Sequence, residues 1–496
     1  YMKTTILMIL LLMQQLFAQN ITNTLGTSGI FSIKDAANTL LTLSQTNKTL
    51  DINGNIRLPK YSTLNTGIIY KGTYPFIHNY NLPGTVGHNT FIGLNTGGTT
   101  LSGTGSEASN NTAMGEASMN NLTSGCCNTS LGSWSLNNVT SGKYNNAFGY
   151  NSLYQNTTAS FNCAFGTGSM ENNLTGNNNC SYGVSSMSEN TTGYDNCAFG
   201  RSSLLFNISG YYNTGVGSSS LRGNVYGYEN SGLGYNSLNS NTDGYRNVAI
   251  GVDAMSSNTI GSGNTGIGAY TLTSITTGNL NTVIGYQSGT NIITGSNNTV
   301  LGYNTEPSST STSNQITLGN SSVTSLRCNV PSITSLSDAR DKKNIKELSL
   351  GLDFIAKLKP RQFNWDKREW YDGNVSDGSK MQEAPTAGFI AQELDSLQQT
   401  ENAEWLNLVL KDNPEKLEAT TGNLLPIMVK AIQELKEKCD RLEKENSILS
   451  GELSQIELLK TQFEDLEGLY NELSGKIREK GKDLHVTETG KETNKE

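Results

Sequence analysis

The middle of the chain repeats one pattern of hydrophobic and polar positions every seventeen residues. Each unit starts with Asn, has an apolar residue at position 4 and has Gly at position 5. The unit recurs without a slip from Asn111 to Asn298, in twelve copies, and one more copy starts at Asn89 after an offset of five residues. Position 9 is Leu or Met from Met119 to Leu272, and position 15 is usually Gly. An unbroken period of this length predicts a stacked solenoid or fibre.

Two apolar residues and two glycines per unit predict short strands joined by tight turns. The Asn at position 1 can hydrogen-bond the backbone, and repeated Asn side chains can stack as a ladder. One unit buries too little to stand alone, so only stacking of units or association of chains gives a continuous core. We predict a mainly β fold: a β-rich segment at residues 19–88, then a parallel β-roll or β-solenoid at residues 89–319. Residues 314–319 resemble a terminal, capping rung.

Three of the seven cysteines occupy one position in consecutive repeats: Cys163, Cys180 and Cys197. One repeat per turn would place them on neighbouring rungs, about 5 Å apart. In an oxidising compartment they could form disulfides between rungs or between chains. Alternatively, they are small buried residues where other repeats have Thr. The chain has no C-x-x-C pair and three histidines, so no metal site and no cofactor is predicted.

Charge divides the chain into two parts. Residues 20–336 contain 10 Lys/Arg and 11 Asp/Glu, and with Lys3 this leaves 56 of the 78 charged residues in the last 160. A polar Asn/Gly/Ser/Thr body is therefore joined to a charged, helical end. The net charge of −8 and the lack of a basic stripe argue against a nucleic-acid partner.

Residues 1–18 combine a basic start with a short apolar run that ends near Ala18, the pattern of a secretory signal peptide. We therefore expect a secreted or cell-surface protein, with a virion fibre as the alternative. No later segment is long and apolar enough to predict a membrane span in the mature chain.

Strings such as GYNSLNSNTDG at residues 234–244 resemble the head repeats of trimeric autotransporter adhesins and related bacterial and phage fibres. Those heads are parallel β-rolls with three chains side by side. The resemblance implies that the chain's partner is itself, in a homotrimer. A surface glycan or receptor is a further candidate partner, although no residues of the repeats mark a face that binds one.

After a Ser/Thr-rich neck at residues 320–336, several motifs follow in a fixed order. They are SDARDKKNI at 337–345, LDFIAKLKP at 352–360, FNW at 363–365, AGFIAQEL at 387–394 and LLPIMVKAIQEL at 424–435. This segment closely resembles the C-terminal intramolecular chaperone peptidases of endosialidase-type tail spikes. The resemblance implies a small α+β chaperone domain at residues 337–434 that assembles a trimer and then cuts itself off.

Carried onto this chain, the resemblance makes Ser337 the nucleophile, Lys342 the general base and Leu336–Ser337 the scissile bond. The chemistry is reasonable, since a Ser hydroxyl needs a base and Lys serves if burial or a nearby cation keeps it neutral. Residues five apart point away from each other on a regular helix. We therefore expect a turn here, or completion of the site by another chain. Asp338, Arg340 and Asn344 are expected to shape the turn or to hold a trimer contact.

Apolar residues seven apart, from Leu435 to Ile477, predict a coiled coil over residues 435–480, with Asn446 at a core position that can fix its register. Sustained heptads favour parallel self-association. The alternative is an amphipathic helix packed on its own domain. Residues 481–496 are predicted to be a disordered tail.

Two functions remain. The favoured one is a secreted homotrimeric, adhesin-like fibre whose C-terminal domain drives assembly and removes itself as a single-turnover Ser/Lys peptidase, with no other substrate. The alternative is a fibre that hydrolyses glycans, as tail spikes do. Glycan hydrolysis needs paired carboxylates in a cleft, and the acid-poor body offers few candidates.

Overall fold

A computed structural model of the chain describes residues 30–34, 39–44, 49–52, 68–327, 329 and 337–488. The predicted signal peptide, Leu336 and residues 489–496 lie outside the described residues. The chain divides into two compact units, Tyr1–Thr324 and Ser325–Glu496. Each unit is described by itself.

The first unit begins with antiparallel strands. Strands β1 (Ile30–Lys34), β2 (Thr39–Ser44) and β3 (Thr49–Ile52) form a three-stranded sheet in the order β1-β2-β3. Strands β4 (Ile69–Lys71) and β5 (Tyr74–His78) form an antiparallel pair. Strand β5 pairs antiparallel with the first strand of the repeats, so this pair covers the N-terminal edge of the main sheet.

The repeats form fourteen short strands in one parallel ladder. They are β6 (Thr90–Ile92), β7 (Thr112–Met114), β8 (Thr129–Leu131), β9 (Asn146–Phe148), β10 (Cys163–Phe165), β11 (Cys180–Tyr182), β12 (Cys197–Phe199), β13 (Thr214–Val216), β14 (Ser231–Leu233), β15 (Val248–Ile250), β16 (Thr265–Ile267), β17 (Thr282–Ile284), β18 (Thr299–Leu301) and β19 (Ile316–Leu318). Each pairs in register with the strand of the next repeat, as in Cys163 with Cys180. The prediction of a mainly β solenoid with one seventeen-residue repeat per turn is confirmed.

The core of the solenoid runs along its length and is built from two repeat positions. The Leu or Met at position 9 is fully buried in every repeat from Met119 to Leu272. The middle residue of each strand, at position 3, also points inward and is small in most repeats, as at Ala164 and Gly215. Because successive side chains of a strand point to opposite faces, the apolar residue at position 4 points outward. Only one of the two recurring apolar residues therefore belongs to the core.

The predicted Asn ladder at position 1 is confirmed. In one rung, Asn196 Nδ2 donates to Asn179 Oδ1 at 3.1 Å and to the Gly210 carbonyl oxygen at 2.8 Å. Its own Oδ1 accepts from the backbone N–H of Asn213 at 3.0 Å. Each side chain thus joins its rung to both neighbours and satisfies buried backbone groups.

A second buried Asn ladder, which the sequence did not predict, runs along position 12 from Asn156 to Asn258. From Asn173 onward, each Nδ2 donates to the Oδ1 of the preceding rung, at 2.8 Å from Asn207 to Asn190. The ladder ends where the next rung has Ile275, and there Asn258 Oδ1 has no hydrogen-bond partner among the described residues. The interior of the solenoid is therefore part polar.

The second unit mixes short helices and strands. Its helices are α1 (Leu352–Lys357), α2 (Ala391–Thr400) and α3 (Leu425–Glu488), and its strands are the antiparallel pairs β20 (Arg361–Phe363) with β21 (Thr386–Gly388) and β22 (Val409–Leu410) with β23 (Glu418–Ala419). Single 3₁₀ turns lie at Ala339–Asp341, Arg368–Trp370, Asp372–Asn374, Glu404–Leu406 and Thr421–Leu424. Phe354 of α1, Leu394 of α2 and Ile427 of α3 meet in one small core. This is the small α+β domain that the sequence predicted.

Helix α3 is longer than the predicted coiled coil. It starts at Leu425, so its first turns pack in the domain through Ile427 and Ala431, and it continues to Glu488. Residues 481–488 belong to this helix, whereas the sequence placed them in a disordered tail. The helix therefore extends beyond the last heptad residue, Ile477. From Leu435 to Ile477 the heptad side chains are exposed in the single chain. No helix among the described residues is long and apolar enough to cross a bilayer.

Candidate active site

The segment around Ser337 folds as a single tight turn. Asp338 caps the 3₁₀ turn Ala339–Asp341, since its carboxylate accepts from the Arg340 backbone N–H at 2.9 Å. At the other end, the Lys342 N–H donates to the Ala339 carbonyl oxygen at 3.1 Å. Asn344 follows with φ of 55°, a left-handed conformation that Asn tolerates well. The expected turn is therefore present.

An ion pair closes the turn on its outer side. The Arg340 guanidinium donates to both carboxylate oxygens of Asp338, since Nε lies 3.1 Å from Oδ1 and from Oδ2 and Nη2 lies 2.5 Å from Oδ2. The hydrogen bonds from Arg340 lower the pKa of Asp338, and those same bonds raise the pKa of Arg340. Both side chains are well exposed, so the pair orders the turn without adding much stability. The pair shapes the turn, which is one of the two roles expected for these residues, and a trimer contact stays a prediction.

The turn brings the two predicted catalytic side chains into contact. Lys342 Nζ donates to Ser337 Oγ, and it also donates to the Ser337 carbonyl oxygen at 3.3 Å. A regular helix would separate these side chains, whereas the 3₁₀ turn folds Lys342 back over Ser337. A nucleophile beside its base is the arrangement that nucleophilic catalysis needs. The catalytic roles themselves stay a prediction.

The site is open to water in the single chain. Ser337 and all residues from Asp338 to Glu347 are exposed. A Lys base must be neutral, and it becomes so through burial or a neighbouring cation. The predicted scissile bond includes Leu336, which lies outside the described residues. The described residues therefore bring Ser337 and Lys342 into contact, but they do not bury Lys342, and burial is what would favour its neutral form.

Two polar contacts that the sequence did not predict join elements of the domain that follows the site. Glu434 of α3 accepts from the Leu352 backbone N–H at 2.7 Å and so caps the N-terminus of α1. Arg361 of β20 holds Glu393 of α2 through Nε at 3.0 Å and Nη2 at 2.5 Å. The hydrogen bonds from Arg361 lower the pKa of Glu393. Glu393 and Glu434 lie inside the motifs at residues 387–394 and 424–435. The motifs therefore indicated that these segments matter, but they did not indicate which residues the two acids contact.

Comparison with known proteins identifies this segment. Residues 337–401 match the model of a protein family described as the chaperone of endosialidase. No curated protein and no solved structure matches the chain significantly.

The matched segment and the solenoid together define the class. The chain is a fibre-type protein in which a β-solenoid of seventeen-residue repeats is followed by a C-terminal chaperone domain. More particularly, that domain is of the endosialidase type, and the match begins at Ser337 itself.

Proposed function

We propose that the chain is a secreted, adhesin-like homotrimeric fibre whose C-terminal chaperone domain directs trimer assembly and then cuts the chain before Ser337. One observation carries the proposal: the residue at which the chaperone match begins is also the Ser whose hydroxyl contacts Lys342. Secretion rests on the pattern of residues 1–18, and a virion fibre is the alternative location.

The proposed reaction needs no group from outside the chain except water. Neutral Lys342 takes the proton of Ser337 Oγ, which attacks the carbonyl carbon of Leu336. The bond between that carbon and the Ser337 nitrogen breaks, the nitrogen takes up the proton, and an ester joins Leu336 to Ser337 Oγ. Water then hydrolyses the ester. The products are a body ending in a new carboxylate at Leu336 and a released domain beginning with Ser337.

Trimer assembly would supply what the single chain lacks. The turn that carries Ser337 and Lys342 is exposed, and the heptad residues of α3 are exposed as well. Parallel association through α3 brings three copies of the domain together. A neighbouring copy that covers the turn would remove Lys342 from water and favour its neutral form. Cleavage would then follow assembly and not precede it.

The test is expression of the full chain followed by a denaturing gel and N-terminal sequencing of the fragments. We expect a fragment that begins at Ser337, and we expect it to be lost in Ser337→Ala and in Lys342→Arg, because Arg stays protonated. Lys343→Arg, the adjacent and equally exposed residue, is the matched control and should cleave normally. A full-length band that is the same in all four proteins would refute the cleavage.

The body is proposed to bind a surface glycan or a receptor, on its resemblance to adhesin heads alone. A glycan array probed with the purified fibre, followed by assay of any bound glycan for new reducing ends, separates two outcomes. Binding without hydrolysis agrees with an adhesin. Release of reducing ends would favour the glycan-hydrolysing fibre instead.

A further inference from the structure

One face of the solenoid is apolar and exposed along its whole length. The last residues of strands β6–β19, at repeat position 4, run from Ile92 to Leu318, and we name them the outer apolar column. Every member is aliphatic or aromatic, and every member is half-buried or exposed. Met114 is 45% and Leu233 is 49% exposed, whereas the middle residues of the same strands point into the core.

The strand residues that share this face with the column are uncharged. The first residues of the same strands, at position 2, share the face, and they are Thr, Asn, Cys, Ser, Val or Ile. The charged side chains of the repeats lie at other positions, as with Arg201 at position 6 and Arg246 at position 17. A solvent-exposed face usually carries charged side chains, as other faces of this body do.

The column is as large as the largest apolar patches that single soluble chains expose. Fourteen strands at the usual spacing of parallel strands give a strip about 60 Å long. With a width of about 10 Å, the strip has an area on the order of 600 Å², the upper end for an apolar patch on a monomer. Parallel sheets are also normally covered on both faces. A face of this size and composition is therefore a candidate for a contact with another molecule.

The best-fitting cover is another copy of the same chain, in parallel and in register. Helix α3 leaves a second apolar seam exposed, and the seam has the heptad pattern of a parallel coiled coil with Asn446 to fix register. Parallel copies joined through α3 present identical columns at identical heights. Each rung then meets the same rung of its partners, and aliphatic side chains pack on aliphatic side chains.

We propose that the outer apolar column is the face through which three parallel copies of the repeat body associate. The inference rests on the proposed homotrimer and adds to it the surface that the body uses. It also explains why Gly and Ala are enough at position 3: the larger apolar side chain of each strand serves the contact between chains, while position 9 fills the inside.

Three native cysteines lie on this face and can be used to test contacts between chains. Cys163, Cys180 and Cys197 are the first residues of β10, β11 and β12, and so share the outer face with the stacked rings of Phe165 and Tyr182. All three thiols are free and half-buried. Around a three-fold axis next to this face, equivalent cysteines of different chains come close together. Cys439, by contrast, lies on α3 and reports on the coiled coil.

The experiment uses full-length chains with one cysteine each, a Ser337→Ala change to keep both units joined, and a short bis-maleimide as cross-linker. One variant keeps Cys163, one keeps Cys439, and one has Thr175→Cys as its single cysteine. Cys163 is preferred to Cys180 because burial raises the pKa of the Cys180 thiol and so slows its reaction. Thr175 is exposed, in the same repeat as Cys163, and lies outside the strands.

We expect covalent dimers on a denaturing gel from the Cys163 and Cys439 variants, and none from Thr175→Cys. If Cys439 cross-links while Cys163 does not, the homotrimer stands and the assigned face is wrong. If neither cross-links, both the trimer and the face are overturned. If Thr175→Cys cross-links as strongly as Cys163, the contact is not specific to this face, which also overturns the inference.

A charge placed in the column provides a second arm. Leu233 is exposed in the single chain, so Leu233→Glu should fold, but the buried charge in the assembly should at least halve the Cys163 cross-linking. Thr175→Glu is the matched control and should leave cross-linking unchanged. Circular dichroism of both proteins separates lost assembly from lost folding. Equal cross-linking in the two proteins would contradict the proposal.

Discussion

At the scale of the residue, each position of the repeat has one physical task. Asn at position 1 satisfies buried backbone groups of its own repeat and of the next one and bonds the Asn side chain of the preceding repeat, while Leu or Met at position 9 fills the core. Gly at position 5 is required by space: at Gly200, φ is +129° and a Cβ would lie 2.6 Å from the Gly217 carbonyl carbon. The repeat therefore tolerates change at its outward positions and not at these.

Replacing a ladder residue should show this directly. Asn196→Ala removes the acceptor of the Asn213 N–H and the donor to the Gly210 carbonyl, both in a buried place. We expect a loss of about 1–3 kcal/mol in the free energy of unfolding, measured by chemical denaturation of the solenoid. Thr175→Ala, in an exposed turn, is the control and should change it by less than about 0.5 kcal/mol.

The glycine column should be at least as sensitive. Gly200→Ala forces a Cβ against backbone of the next rung in a conformation that L-residues rarely adopt. We expect a loss of about 2 kcal/mol or more, seen as a lower midpoint of thermal unfolding. A midpoint equal to that of Thr175→Ala would show that the rungs have room to move apart.

The sequence predicted the rung but not the direction of every side chain in it. The period and the Asn ladder at position 1 were visible, because Asn and Gly recur without exception. The outward direction of position 4 was not, since a shift of one residue along a strand changes the face, and Ala164 or Gly215 at position 3 gives no hydropathy signal. The ladder at position 12 was missed although Asn recurs there from Asn156 to Asn258, because hydropathy does not mark an Asn such as Asn207 as buried.

At the scale of the element, the Ser337 turn and helix α3 are the informative parts. Helix geometry predicted either a turn or completion of the site by another chain, and a turn is present at Ala339–Asp341. The enclosure of Lys342 could not be predicted or seen in one chain, because it depends on what covers the turn. Helix α3 was predicted from its heptads, but its start was not, since Ile427 and Ala431 pack inside the domain outside the heptad pattern.

The contact from Glu434 to α1 allows a test of how α3 holds the domain. Glu434→Ala leaves the Leu352 N–H at the start of α1 without its acceptor. We expect the domain to lose about 1 kcal/mol of stability, measured by denaturation of the Ser337→Ala chain. Glu437→Ala, exposed on the same helix, should leave the stability unchanged. Equal losses would mean that the cap contributes nothing.

At the scale of the whole molecule, the repeat explains the need for an assembly domain. Identical rungs allow parallel chains to pair out of step by seventeen residues with nearly correct contacts. A coiled coil with a single polar core residue fixes one register. A chaperone domain that assembles the chains would fix their relative register. After the domain is cleaved off, the contacts between the solenoids would maintain that register.

Assembly before cleavage predicts a dependence on concentration. When denatured chain is diluted into refolding buffer, the fraction cut before Ser337 after a fixed time should fall as the chain concentration falls, because three chains must meet first. Denaturing gels of a dilution series measure it. A fraction that stays constant over a hundredfold dilution would show that one chain is sufficient.

The most direct test of the account is the mass of the purified native protein by light scattering, together with the masses of its fragments. The account predicts a particle of three body fragments, each ending at Leu336, and a separate fragment that begins at Ser337. The Ser337→Ala chain should form a particle of three intact chains. A monomer of uncut chain from the unaltered protein would contradict both the assembly and the cleavage.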